Sequence, residues 1–199
     1  MEKDLIKTPK ILGLDVSTTT IGCALFDLES KELLELTHVS PVIKPKDKTI
    51  KELFLKSEIF KDKILQYKDL NITTVVIEEP LLTSNNIYTV QTLLRFNTLI
   101  SKHVYDILGV VPEYISTYES RKNAFPELMA PNKNGKEVLF GAFPKDCDKK
   151  MIIWDLVSRM EPQIVWNYTK NNTLKKESFD MSDAYCCALA WLKLNKIWR

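Results

Sequence analysis

Four carboxylates in this chain stand at positions where a globular protein seldom places charge. Asp15 lies near the end of the apolar run Lys10 to Val16 (KILGLDV), where an unpaired carboxylate is costly to bury. Glu78 ends the β-branched run Thr73 to Ile77 (TTVVI), and Glu79 beside it points to the opposite face of the same strand. Asp180 and Asp183 are three residues apart at the start of the last helical segment, so they share one helix face. Each has a quieter reading when taken singly. Asp15 could open the Ser17-Thr18-Thr19-Thr20 turn by bonding its backbone. Glu78 and Glu79 could be a polar strand end, and Asp180 could cap the helix with Asp183 in its first turn against the dipole. Together they form an all-oxygen cluster whose repulsion calls for cations. Oxygen donors suit Mg²⁺ or Mn²⁺, and two such ions roughly 3.5 to 4 Å apart can activate a water and stabilise the leaving oxygen in phosphodiester hydrolysis. No His or Cys cluster has zinc spacing, and His38 and His103 read as strand and helix surface residues.

The elements that must bring these carboxylates together follow from hydrophobic patterning. Lys10 to Val16 and Ile21 to Leu28 (IGCALFDL) form a hairpin around the Ser17–Thr20 turn, and Glu32 to Val39 (ELLELTHV) supplies a third antiparallel strand. Thr49 to Tyr67 places Ile50, Leu53, Phe54, Phe60, Ile64 and Tyr67 at helical spacing. Thr73 to Ile77 is a buried parallel strand, Ile87 to Leu108 a long helix stopped by Gly109, and Val110 to Thr117 a fifth strand. The stretch Glu119 to Asp148, with Pro126, Pro131, Gly135, Gly141 and Pro144, reads as a long loop or insertion. Helices at Lys149 to Met160 and about Phe179 to Leu194 close the chain. Strands that follow crossover helices lie parallel to a neighbour, so the order predicts an α/β fold of ribonuclease H-like type. That is a mixed five-stranded sheet, three antiparallel strands then two parallel, with helices on both faces. The first and fourth strands are then central neighbours, the last helix packs over them, and Asp15, Glu78, Asp180 and Asp183 converge.

Composition sets the boundaries of this reading. With 199 residues, 45% hydrophobic and 27% charged, the chain can bury one sizeable core, so one domain over residues 1–199 is expected, with the insertion at about 119–148. No apolar run reaches the roughly 18 to 20 residues of a membrane span, and Met1 to Lys10 alternates charges with no signal-type segment, which predicts a cytoplasmic protein. Cys23, Cys147, Cys186 and Cys187 form no C-x-x-C pair and read as reduced thiols. The net charge of +2 does not by itself announce nucleic acid. The basic side chains are nevertheless in local excess between Glu119 and Lys176, and Arg121, Lys122, Lys149 and Lys150 are the candidates there for phosphate contact.

The segments ILGLDVSTTTIGCALFD around Asp15, VVIEEP around Glu78, NNIYTVQTLLRFNTLI in the following helix and FDMSDAYCCALAW around Asp180 and Asp183 together resemble the RuvC-type Holliday junction resolvases, phage-encoded members included. The order and spacing of these segments span most of the chain. The resemblance implies a homodimeric, Mg²⁺-dependent endonuclease that nicks two opposed strands of a four-way DNA junction and leaves 5′-phosphate and 3′-hydroxyl ends. It would work in the cytoplasm, that of the host if the chain is phage-encoded. It assigns ligation of two Mg²⁺ ions, with Mn²⁺ as a substitute, to Asp15, Glu78, Asp180 and Asp183. It also puts Lys149 or Lys150 where the family's post-insertion bases hold the scissile phosphate. Glu79 falls where bacterial enzymes commonly carry glutamine and is not counted as a ligand. Pro80-Leu81-Leu82 stands where bacterial relatives place an aromatic against the opened junction, which makes Leu81 and Leu82 DNA-contact candidates of altered chemistry. The long Glu119–Asp148 stretch would shift substrate choice toward flaps or branched replication intermediates.

Other readings are a structured-RNA nuclease on the same fold, a catalytically dead DNA-binding scaffold, and an actin or sugar-kinase domain. Ile11 to Phe26 fits the phosphate hairpin of the last, but that architecture needs two such domains and a second glycine-bearing hairpin.

Assembly is read from the helix Ile87 to Leu108. Its apolar side chains, from Ile87 through Phe96 and Leu99 to Leu108, cover roughly 240° of the helical wheel, more than one sheet can bury. A neighbouring helix of the same chain or a two-fold copy must take the excess. Symmetric nicking favours the copy, with Phe96 or Leu99 expected in the seam.

Overall fold

The computed structural model describes residues 7–43, 50–80 and 86–198. Leu81 and Leu82 lie outside the described residues. Strands β1 (Lys10–Val16), β2 (Ile21–Asp27) and β3 (Leu33–Val39) form an antiparallel meander, followed by α1 (Ile50–Tyr67), β4 (Ile72–Glu78), α2 (Ile87–Leu108) and β5 (Glu113–Ile115). The sheet order is β3-β2-β1-β4-β5, with β4 parallel to β1 and β5 parallel to β4. This is the mixed sheet that the element order predicts.

β1 is covered on both faces, which is why it reads as an almost unbroken apolar run. Leu12, Leu14 and Val16 pack with α1 and α2 on one side, while Ile11 lies on the other side with the residues of α5 (Lys176–Leu194). Alternation along the strand puts Gly13 and Asp15 on the α5 side. α5 lies unusually close to the sheet there. A Cβ added to Gly13 would come within 2.3 Å of the Ala184 carbonyl oxygen, and one added to Gly22 within 2.0 Å of the Asp180 carbonyl oxygen. Gly22 is the cross-strand partner of Asp15. The two glycines therefore form a notch that seats α5 directly over the Asp15 end of the sheet.

Three expectations change. The first concerns α5, which starts at Lys176 after the N-terminal cap position Lys175, not near Phe179. Asp180 is consequently inside the first turns and buried at 3% exposure, so it is not the capping residue.

The second concerns the 119–148 stretch, which is far more ordered in secondary structure than a loop. Strand β5 ends at Ile115, and Ser116 caps α3 (Thr117–Ala124) by accepting from the Glu119 amide. A 3-10 turn (Pro126–Leu128) and the hairpin β6 (Met129–Pro131) and β7 (Glu137–Leu139) follow, before α4 (Lys149–Met160). Phe125, Leu128 and Phe140 are buried in the α5-side core. These three anchors sit singly among prolines and glycines, so no periodic signal betrays them.

The third concerns α2. Asn86 caps it with its side chain, Gly109 ends it in a left-handed conformation at φ +71°, and α1 packs beside it. Phe96, Ile100 and Val104 are wholly buried within the chain, so Phe96 is not available for a dimer seam, and Leu99 is partly buried against the same core. The apolar side chains that α2 leaves exposed are Ile87, Tyr88, Leu94 and Tyr105. His103 is not a plain surface residue either, since its Nε2 lies 3.2 Å from Ser57 Oγ of α1. Cys23, Cys186 and Cys187 are buried and, like Cys147, free. Among the described residues no helix is long and apolar enough to cross a membrane.

Candidate active site

Parallel pairing sets Leu14 of β1 against Ile77 of β4, so Asp15 and Glu78 leave adjacent strand ends on the face that α5 covers. Asp180 and Asp183 descend from α5 onto that same corner. All three of the other carboxylates act electrostatically on Asp15, so the sequence-predicted quartet is assembled from β1, β4 and α5. Glu79 is exposed, away from this corner.

The partners of each oxygen define the centre. Glu78 Oε1 accepts a 2.7 Å hydrogen bond from Thr117 Oγ1, while Glu78 Oε2 is buried with no partner among the described residues. Asp183 Oδ1 takes both Arg121 Nη2 at 2.8 Å and Nε at 3.3 Å. Lys150 Nζ stands 3.7 Å from Asp183 Oδ2 and 3.9 Å from Asp180 Oδ1, and Asp180 Oδ2 is buried and unpartnered. Among the described residues no three Asp, Glu, His or Cys side chains are drawn together as a ready-made metal cage. Asp183 is turned onto Arg121 instead. Two orphaned buried carboxylate oxygens in an all-oxygen set nevertheless fit a hard divalent cation.

The basic candidates separate. Lys150 reaches the cluster and is half-exposed. Lys149, one residue earlier on α4, lies over the Phe140 ring at 5.7 Å. Arg121 is an internal partner of Asp183, not a free surface base, and Lys122 turns to Glu119 at 3.5 Å and to the Tyr118 ring. Sequence reasoning missed Thr117 and the glycine notch. The notch had a signal, since glycines inside strands mark close backbone approach. Thr117 had none until β5 was known to end at Ile115, opposite Glu78.

Crowding is expressed in proton affinity. Burial first, then Glu78, Asp183 and Asp180, pushes the Asp15 carboxyl well above the usual range. Burial and then Asp183 raise Glu78 from 4.5 to about 7, against the lowering effects of Thr117, Arg121 and Lys150. Burial raises Asp180 from 3.8 to about 6, opposed by Lys150 and Lys176. A raised carboxyl keeps its proton in the fold at a pH where the unfolded chain has released it, so the folded state binds more protons. Stability therefore falls as pH rises through the interval from 3.8–4.5 to 6–7. In chelator, the melting temperature is expected to drop by several degrees between pH 5 and pH 8, and Glu78→Gln to flatten that slope. A wild-type profile level across this range would remove the crowding. Asp27, lowered to about 2 chiefly by its Thr8 hydrogen bond, acts below the window.

Sheet order, helix placement and carboxylate corner together make this a ribonuclease H-like fold. It is similar to the Thermus thermophilus RuvC in complex with a Holliday junction substrate, with a TM-score of 0.62 at 11% identity over 94% of each chain. Another T. thermophilus RuvC structure matches with a TM-score of 0.57 at 15% identity, covering 94% of this chain and 95% of the other. The yeast mitochondrial Holliday junction resolvase Ydc2 matches with 0.53 at 12% identity over 98% of this chain and 84% of its own. No protein-family model and no curated protein match the sequence.

Proposed function

We propose that this chain is a divalent-cation-dependent endonuclease that cuts branched DNA, four-way junctions foremost. The observation that carries the proposal is the gathering of Asp15, Glu78, Asp180 and Asp183 from three elements with Glu78 Oε2 and Asp180 Oδ2 buried and unpaired. Two such oxygens in one acidic cluster are what a bound cation would complete. The likeness in fold to resolvases, one of them holding a junction, supports the choice of substrate. The carboxylates would hold Mg²⁺ or Mn²⁺, which when bound lowers the pKa of a water and neutralises charge on the leaving oxygen. The protein's own groups do the rest. Thr117 fixes one oxygen of Glu78 and leaves the other facing the cluster. Lys150, half-exposed on the solvent side of Asp180 and Asp183, can transfer to an incoming phosphate as a point charge.

Paired nicking needs two such centres facing opposed strands, and a two-fold dimer supplies them. The exposed apolar side chains of α2, Ile87, Leu94 and Tyr105, are the surface we assign to it. The test is a panel of labelled four-way junction, flap, fork, duplex and structured RNA in Mg²⁺, with the protein sized by light scattering. Expected are junction nicks in two opposed strands and a mass of twice 23.0 kDa. A monomer that cuts one strand of flaps, or cleavage of the RNA alone, would replace this reading with another nuclease on the same fold.

The two adjacent lysines should behave differently. Lys150→Ala is expected to weaken junction binding at every sequence and to flatten the salt dependence by about 0.9 in the log–log slope, the amount for one lost phosphate contact. Lys149→Ala, whose ammonium lies over Phe140, should change the slope less. Equal slopes for both variants would contradict the placement of Lys150.

A further inference from the structure

Resting on the nuclease reading and deepening it, we infer that the chain seats unpaired DNA nucleotides beside the cut, in a groove between the β1–β2 turn and the N-terminal halves of α1 and α2. The groove encloses about 730 Å³. That falls among the roughly 300 to 1,000 Å³ of ordinary ligand sites, which suits a stretch of single strand and not a double helix.

Its position ties it to the carboxylates. One wall is the turn Ser17–Thr19, which begins two residues after Asp15. Another is Lys176, one helical turn before Asp180 on α5 and close enough to act on that carboxyl through its charge. A strand whose phosphate lies at the carboxylate corner therefore continues into the groove.

The lining fits a strand's backbone and a base. Lys56 is already committed, with Nζ 2.7 Å from Glu52 Oε1 and donating to the Thr18 carbonyl at 2.9 Å, so it braces the turn. Arg95 and Lys176 are exposed and have no salt bridge among the described residues. These two are the charges left for phosphates. Tyr88 adds a ring that is 76% exposed, and Tyr88, Thr92 and Arg95 follow one another at i, i+4 and i+7, so they line one face of α2. A cationic track beside an aromatic platform holds single strands without reading their sequence, because every base has a face to stack. Bases inside a duplex have their faces already occupied. The groove also stays open in the dimer proposed above, since Ile87, Leu94 and Tyr105 lie roughly 90° round α2 from Tyr88 and Arg95.

The experiment is fluorescence anisotropy of the full chain, in chelator, with two four-way junctions of one sequence, one fully paired and one with unpaired thymines inserted at the branch point. The wild type should bind the second about tenfold more tightly, the order supplied by one base stacked on a ring. Tyr88→Ala should lose that preference and Tyr88→Phe keep it. Arg95→Gln and Lys176→Gln should weaken the unpaired substrate more than the paired one. Equal binding of both junctions by the wild type, a preference that survives in Tyr88→Ala, or equal losses on both substrates in the charge variants overturns the groove. Mg²⁺-dependent nicking of the fully paired junction by the same preparation then leaves the nuclease reading standing. Failure to bind either junction removes both.

Discussion

Asp15→Asn and Glu78→Gln are each expected to slow junction nicking by roughly 10³-fold or more, the scale on which losing charge stabilisation at a reacting phosphate is felt. Junction binding should survive, because affinity comes from basic side chains and duplex shape and not from the carboxylates. Fold stability supplies the second readout. Both residues carry raised pKa values in a crowded corner, with burial as the first cause, so neutralising either relieves repulsion. The variants should melt higher than the wild type at pH 8 in chelator, by several degrees. A variant that loses activity and melts lower has lost structure, and one that nicks at the wild-type rate takes its residue out of the centre.

Gly22→Ala is the second large effect, and it acts on the fold first. The new methyl would lie 2.0 Å from the Asp180 carbonyl oxygen, 2.5 Å from its carbonyl carbon and 2.9 Å from the Met181 nitrogen. All three are backbone atoms of a helix, which no side-chain rotation can move aside. α5 must lift from the sheet, opening the contact with β1 and β2 that buries Ala184, Cys187 and Ala188. Overpacking of this kind costs about 3 kcal/mol, or about 6 to 12 °C in melting temperature for a domain of this size. Because the clash is with Asp180 itself, activity should fall further than stability alone explains, and Mg²⁺ should not restore it. Gly109→Ala is the control. It sits at φ +71° with nothing within 4 Å of its added Cβ, so only the left-handed backbone penalty of about 1 to 2 kcal/mol applies, with no effect on the centre. Equal losses from the two substitutions would mean that α5 does not rest on Gly22.

What could be read from the residues was whatever repeats with a period. β1, β2 and β4 declared themselves as apolar runs and α2 as a capped amphipathic segment, so sheet order followed from crossover rules alone. The four carboxylates were visible because each interrupts or ends such a run. Arg121 was visible only as a charge, since its burial depends on α3, whose short polar sequence TYESRKNA has no apolar stripe to advertise it. The hairpin at 129–139 escaped for the same reason, being held by single anchors such as Phe140. α2 was correctly located, but the burial of Phe96 within the chain was not legible. A helical wheel reports how much surface must be covered, and α1 covers part of it within the chain.

The central claim is that these four carboxylates make a cation-dependent cutting site for branched DNA. Its most direct test is a four-way junction labelled on each strand in turn, incubated with purified protein in Mg²⁺, in chelator, and in Mg²⁺ with Asp15→Asn. The account predicts paired nicks in opposed strands with Mg²⁺ and wild-type protein, and intact but bound junction in the other two. Nicking that persists in chelator or in the Asp15→Asn variant, or junction that is bound and never cut in Mg²⁺ or Mn²⁺, would contradict it.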